Sequence, residues 1–458
     1  MQIRFCLLFS IISGLLGCGA KEVSVQPVRP PAQTQLSIKQ TASSQPLVEL
    51  NKRGEQVIAQ LKAWYDATPA DCAGPDKPSY LCSGIEMRAT ETSPDVFSWD
   101  PSQKHLDKGA IAFSWVRRDT NFARPAERFN GFLFPPLQAI PDGKINDLQV
   151  LCTFPTDGGT DNRETAQGCG PQRRFEATTD ACQKIGIQNA QEWLQAYSED
   201  DIRRSRFCGW DLREEPANMR AQWFEMPVKI RASLEPDAWM GYNEILLPVW
   251  EVGVGSDLPI YAFFYVEGEQ QARVLAQHDQ VRYHAAYGQS IPVVRIKFPT
   301  NKDQLMVFTY ADEDQAVGQP VPSSKIDFES EDLGERKVFT IDGVTFMIDG
   351  RGSISNELHE GSEGLISGKH LKYESLIQVV LSGTGRRQVS YNWGCTDHCI
   401  RDALLSDNYK VLTDGPDAYG TDRFIIDGPD IITLYIGEEG QNLRMVLDTL
   451  EVKAVTQP

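Results

Sequence analysis

Apolar and polar positions change rhythm several times along this chain, and each change marks a different kind of element. A short apolar run from Phe5 to Leu16 follows Arg4 and stops at small residues. It falls short of the roughly 20 residues that span a bilayer, and its layout is that of a signal peptide. Residues 19 to 45 carry no apolar period and are rich in Pro, Gln and Ser, the composition of a solvated tether. Leu47, Leu50, Val57, Ile58, Leu61 and Trp64 then recur at helical spacing, and the pair Thr68-Pro69 ends that helix.

From Pro78 to Asp312 the pattern is mainly strand-like, in runs such as "GAIAFSWVR", "FNGFLFPP", "NEILLPVW" and "LPIYAFFYV" bounded by Gly, Pro or Asp. Helical spacing returns near 188–197, 217–233 and 269–286. Strands mixed with a few helices predict an α+β domain with a curved, mostly antiparallel sheet. The stretch "EDQAVGQPVPSSK" has linker composition. From Ile326 onward strands and turns alternate, with Asp-Gly at 342–343, 349–350, 414–415 and 427–428, the strongest short hairpin signal. That predicts an all-β sandwich of jelly-roll type. The expected division is a signal peptide over 1–17, a tether over 18–45, an α+β domain over 46–312, a linker over 313–325 and a sandwich over 326–458.

Charge and cysteine usage narrow the partners and the compartment. A net charge of −18 on 458 residues argues against nucleic acid and against an anionic lipid surface, both of which are held by lysine and arginine. The box Leu15-Leu16-Gly17-Cys18 resembles a bacterial lipoprotein cleavage site, which would put acyl chains on Cys18 and anchor the chain to a membrane. Gly19 rather than aspartate after it resembles the sorting pattern of Gram-negative outer-membrane lipoproteins, facing the periplasm or the surface. An ordinary secretory signal with a chance cysteine is the plainer alternative. Cys72, Cys82, Cys152, Cys169, Cys182, Cys208, Cys395 and Cys399 remain, an even number that reads as disulfides in an exported chain. Sequence does not fix the connectivity; pairing of nearest neighbours, 72–82, 152–169, 182–208 and 395–399, is the simplest. No paired C-x-x-C arrangement is present, so no metal is expected.

The central region contains no G-x-S-x-G elbow, no H-E-x-x-H and no P-loop, which removes the commonest hydrolase and nucleotide-triphosphatase readings. What stands out is polar residues inside apolar strands: Arg88 in "SGIEMRATET", Ser114 in "AIAFSWVR" and Glu244 in "YNEILLPVW". Taken singly, each fits an outward-facing position of a half-buried strand. Together they resemble the arginine, serine-strand and glutamate arrangement of the mono-ADP-ribosyltransferases of the cholera and pertussis toxin type. The segments "PSYLCSGIEMR", "SWDPS", "AFSWVRRDTNF", "NGFLFPP", "NEILLPVW" and "LPIYAFFY" are similar to halovibrin, a family of secreted bacterial NAD-consuming enzymes, over roughly residues 50 to 312.

That resemblance implies an ADP-ribosyltransferase-like domain that takes NAD as substrate, with no prosthetic group, and cleaves its nicotinamide–ribose bond. Glu244 would stabilise the oxocarbenium-like centre, Arg88 would clamp a phosphate or ribose, and Ser114 would orient the glutamate. Trp115, Phe129 or Phe132 would stack on nicotinamide, although a Phe in "FNGFLF" also reads as plain core. Two departures bear on the reaction. Tyr242 occupies the place of the second acid of arginine-directed transferases, so hydrolysis by water fits better than transfer to arginine. Phe113-Ser114-Trp115 replaces the family's Ser-Thr-Ser, which removes one supporting hydroxyl.

The competing expectation is a non-enzymatic, disulfide-stapled surface lipoprotein that binds a protein or glycan. Convergence of Arg88, Ser114 and Glu244 on one cleft separates the two readings. Three smaller features complete the picture. Asp157, Asp161 and Asn162 have oxygen ligands suited to calcium but read better as a disulfide-closed loop. His278, Asp279 and Tyr283 read as a solvated helix face rather than a general base. Trp393 and the acidic turns of the last region point to a carbohydrate-binding or other recognition surface, and His398 to a place inside a short disulfide loop.

Overall fold

The protein is described by a computed structural model covering residues 45–454, except 73, 75, 91–98, 123–127, 146–147, 159–167, 171, 174–175, 178–179, 200–206, 235–240, 302, 318–323, 327, 329–333, 336–337, 342–343, 356–369, 382–385, 396–399, 406–407, 414–418, 428–429 and 437–444. Cys18, the signal and nearly all of the tether, His398 and the Cys395–Cys399 pairing lie outside the described residues.

Helix α1 (Gln45–Asp66) opens the described chain. The first sheet is built from β1 (Ile85–Ala89), β2 (Ala110–Val116, after α2, Gln103–Lys108), β3 (Asn130–Phe134) and β4 (Cys152–Phe154). A small ribbon of β5 (Gln172–Arg173) and β6 (Glu176–Ala177) stands apart, followed by α3 (Ala190–Glu199). The sheet resumes with β7 (Trp210–Asp211), and after α4 (Ala217–Phe224) and α5 (Met226–Ser233) with β8 (Glu244–Pro248). It ends with β9 (Ala262–Val266), α6 (Gln270–Tyr287), β10 (Val293–Lys297) and β11 (Val307–Thr309). Strand order is β11-β10-β9-β3-β1-β2-β8-β4-β7.

Neighbours in this sheet run antiparallel except β9 and β10, which are parallel and joined by α6. A parallel pair needs such a crossover, and the helix lays Ala272, Ala276 and Tyr283 on the sheet's main apolar core. Gly288, left-handed at φ 67°, ends α6 by donating its N–H to the His284 carbonyl. The architecture is mixed α and β, as the alternation of patterns predicts.

The second region forms a separate antiparallel sheet. Its strands are β12 (Ser324–Ile326), β13 (Gly334–Glu335), β14 (Val338–Ile341), β15 (Val344–Ser355), β16 (His370–Leu381), β17 (Arg386–Cys395), β18 (Ile400–Leu405), β19 (Asn408–Thr413), β20 (Tyr419–Asp427), β21 (Asp430–Ile436) and β22 (Met445–Ala454). The main path is β19-β18-β21-β16-β22-β17-β20. Two of the expected hairpin turns are corrected. Asp349 and Gly350 lie inside β15, paired with Leu376 and Ser375, because β15 and β16 match over their whole length. Strands β20 and β21, on either side of Asp427-Gly428, pair with β17 and with β16 and β18 rather than with each other.

Burial overturns three further readings. The start of the expected linker is interior: Asp314 bridges Arg273 and Arg295 at 3.0 Å each, and Gln315 accepts from Val293 N and Gln280 Nε2. Polar composition marks a linker only when the polar groups meet water, and here they meet each other. His278 and Tyr283 are buried rather than solvated, since α6 is covered on more than one side. Trp393 packs in the second region's core with Tyr391 and Leu447, which removes it as a sugar-stacking ring.

Three of the disulfides pair as nearest neighbours: Cys72–Cys82, Cys152–Cys169 and Cys182–Cys208. Among the described residues no helix is long and apolar enough to cross a membrane.

Candidate functional site

Strand pairing decides whether Arg88, Ser114 and Glu244 share a surface. β1 sets Glu86 opposite Trp115 and Met87 opposite Ser114 on β2, and sets Arg88 opposite Phe132 on β3. β2 sets Ala112 opposite Leu246 and Phe113 opposite Ile245 on β8. Opposed residues of an antiparallel ladder share a face, and successive residues alternate. Arg88 therefore stands with Glu86, Trp115 and Phe132 on one face, and Ser114 with Glu244 on the other. Packing agrees. Phe113, Trp115, Phe132 and Ile245 belong to one core, whereas Met87 and Val116 belong to a second and Phe154 and Leu246 to a third.

On the first face Arg88 donates from Nη1 to the Ala112 carbonyl at 2.7 Å, and its Nη2 lies 3.2 Å from His105 Nε2. Guanidinium has no acceptor, so His105 Nε2 must accept and the imidazole proton sits on Nδ1. From there it donates to Ser102 Oγ at 2.9 Å, which makes the 3.3 Å approach of Ser102 N to Nδ1 a contact rather than a hydrogen bond. Arg88 is thus positioned by a strand carbonyl and a neutral histidine.

Trp115 is not open to a ligand ring. Its indole N–H donates to Ser83 O at 3.2 Å, Arg117 lies 4.6 Å from its ring centre and Phe224 packs edge-on at 4.7 Å. Phe132 is likewise core, and Phe129 packs against that core. Glu86 is the unexpected member of this face. It is 1% exposed, neither carboxyl oxygen has a hydrogen-bond partner, and burial pushes its carboxyl well above the usual range.

On the second face Glu244 is 5% exposed and lies opposite Phe154 of β4. Gly158 N–H donates to Glu244 Oε2 at 2.9 Å. That glycine follows buried Thr156 and Asp157 on the loop that the Cys152–Cys169 disulfide closes. A side chain at 158 would meet Glu244 Oε1 and the Phe154 ring at 2.9 Å, so the loop lies close over the carboxylate. Asn243, which sequence reasoning passed over, clamps the β2 backbone: its Oδ1 accepts from Trp115 N and its Nδ2 donates to Trp115 O, both at 2.8 Å. Its polar side chain next to an apolar strand was the available signal, as the acid inside "SGIEMR" was for Glu86.

Among the described residues, no group of three His, Cys, Asp or Glu side chains could hold a metal ion. Of the calcium-like trio, Asp157 is buried, and Asp161 and Asn162 lie outside the described residues.

The fold and these sites define a disulfide-bonded α+β protein with two large sheets, one antiparallel throughout its described strands and one antiparallel except for the β9–β10 pair. No family model and no curated protein matches the chain. Solved structures similar to part of it include the K1 cleaved adhesin domain of Lys-gingipain from Porphyromonas gingivalis W83, at 10% identity over 29% of this chain and 98% of that one, with a TM-score of 0.22. CBM35 from Paenibacillus barcinonensis matches at 12% identity over 29% and 99%, with a TM-score of 0.19. The family 11 carbohydrate-binding module of a Clostridium thermocellum cellulosomal cellulase matches at 10% identity over 31% and 99%, also at 0.19. Likeness at this level specifies neither a ligand nor an activity.

Proposed function

We propose that this protein is an exported, disulfide-stapled binding protein, tethered through a lipid on Cys18 to the outer membrane, that engages a protein or glycan without turning over NAD. The observation that carries the non-enzymatic reading is the separation of Arg88 from Ser114 and Glu244 by the thickness of the sheet. A carboxylate stabilises a developing cation only when the groups that hold the substrate lie beside it. Arg88 is engaged by Ala112 O and His105, and Glu244 lies under Gly158. Three disulfides support an oxidising compartment, where such staples persist.

A second reading, NAD hydrolysis by an ADP-ribosyltransferase-like domain, rests on Ser114 and Glu244 sharing one face of adjacent strands. One experiment separates the two. The protein is incubated with NAD, and free nicotinamide and ADP-ribose are followed by chromatography beside Glu244→Gln. The binding reading expects no release from either protein; release that disappears in the variant would establish the enzyme instead. Labelled palmitate incorporated by wild type and not by Cys18→Ser tests the anchor.

A further inference from the structure

The second sheet meets the first region across α6. Helical spacing puts Val274, Leu275, His278 and Val281 on one side of α6, three and four residues apart, while Ala272, Ala276 and Tyr283 face the first region's main core. Val274 and Leu275 pack with Met347 of β15 and Val380 of β16. Val281 packs with Leu50 of α1 and with Ala316 and Val317. His278 stands between these two apolar clusters, 4% exposed, and its Nε2 has no hydrogen-bond partner.

On the β15–β16 face that carries Met347 and Val380, the cross-strand partners are Gln378 and Thr345, buried and uncharged; on the other side of the imidazole along α6 stand Leu50 and Val317. The charge that acts on it is Arg282, four residues on along α6 and of the same sign as an imidazolium. The other imidazole of the helix, His284, is bonded to Ser290 Oγ and feels Glu49, so it belongs to a different setting.

We propose that this contact is a pH-sensitive joint, in which a proton taken from water onto His278 Nε2 drives β15 and β16 off α6 and the neutral imidazole holds them on. His278 Nε2 meets no acceptor in the closed seam, so a charged imidazolium there is left unsolvated and regains hydration as the seam opens. Burial and Arg282 hold the closed-state imidazole well below its usual range. With the seam open it titrates near about 6.5. The closed form binds fewer protons, so His278's contribution is complete above about 6.5 and is lost as pH falls, the open fraction rising up to about tenfold per pH unit.

Methionine oxidation in the full-length protein reads this directly, because Met347 is in the seam and Met87 is buried in the first sheet, each 1% exposed. Hydrogen peroxide labelling with mass spectrometry between pH 7.5 and 5 should show Met347 sulfoxide forming up to about tenfold faster per pH unit below about 6.5, with Met87 protected throughout. His278→Leu should remove the rise. Should that variant not fold, Arg282→Gln, which relieves part of the repulsion, should make the rise smaller, and His284→Gln should leave it unchanged. A flat Met347 rate in wild type, an equal rise at Met87, or an equal rise in His278→Leu or Arg282→Gln would overturn the proposal.

Discussion

Arg88 and Glu244 hang from opposite faces of one mostly antiparallel sheet, two strands apart, with β2 between them. The resemblance to NAD-consuming enzymes needs both side chains around one ligand. Pairing register directs one into the aromatic core side and the other under a disulfide-closed loop, and the predictions that follow test what these positions hold instead.

Glu244 acts here as a hydrogen-bond acceptor for a loop. Glu244→Gln keeps an acceptor for Gly158 N–H and removes its charge, so unfolding free energy should fall by about 1 kcal/mol in a denaturant titration. Collapse of the fold would mean that the carboxylate carries far more than this one bond.

Glu86 is a buried acid without a partner. Its carboxyl is raised above 4.5 in the folded protein, so the native state holds a proton that the unfolded chain releases as pH rises past that value. Folding therefore loses about 1.4 kcal/mol per pH unit from that point until the raised value is reached. Glu86→Met should stabilise at pH 7 by about 1–3 kcal/mol and by less at pH 4. Equal effects at both pH values, seen in paired melts, would show that Glu86 is ionised when folded.

At Gly131, paired with Ala89, the β3 backbone lies close against β1. A Cβ there would lie 1.9 Å from the Arg88 carbonyl oxygen, which is backbone and cannot swing aside. Gly131→Ala should cost about 3 kcal/mol or more and shift the β1–β3 pairing. Thermal unfolding with amide exchange at Arg88 and Phe132 would register it.

Asp314 ties α6 to β10 through Arg273 and Arg295 and is itself fully buried. Asp314→Asn leaves two guanidinium groups facing a neutral amide and should cost about 3 kcal/mol. Asp312→Asn, two residues away at an exposed carboxylate, should change stability by less than about 0.5 kcal/mol in the same denaturant titration.

The Cys152–Cys169 bridge closes a loop of sequence separation 17 over the Glu244 face. Replacing both cysteines by alanine should lower stability by about 3 kcal/mol, the loop-entropy value for that length. The double variant's melting temperature, measured against wild type without reductant, checks it.

What the sequence determined by itself is what local chemistry controls. Helical spacing located α3, the α4–α5 pair and α6, and the cysteines of the first region paired with their nearest neighbours along the chain. Alternation in "GIEMRA", "AIAFSWV" and "NEILLP" also showed that each strand has two faces. It could not show which face of one strand joins which face of the next, because a shift of register by one residue exchanges them all. Only the pairings Glu86–Trp115, Arg88–Phe132 and Phe113–Ile245 set Arg88 apart from Ser114 and Glu244. Burial of polar groups was equally illegible. Asp314, Gln315 and His278 look solvated in a linear pattern that counts charge and amide groups as outward, and they are interior because residues distant in sequence, Arg295, Gln280 and Val380 among them, close over them in three dimensions.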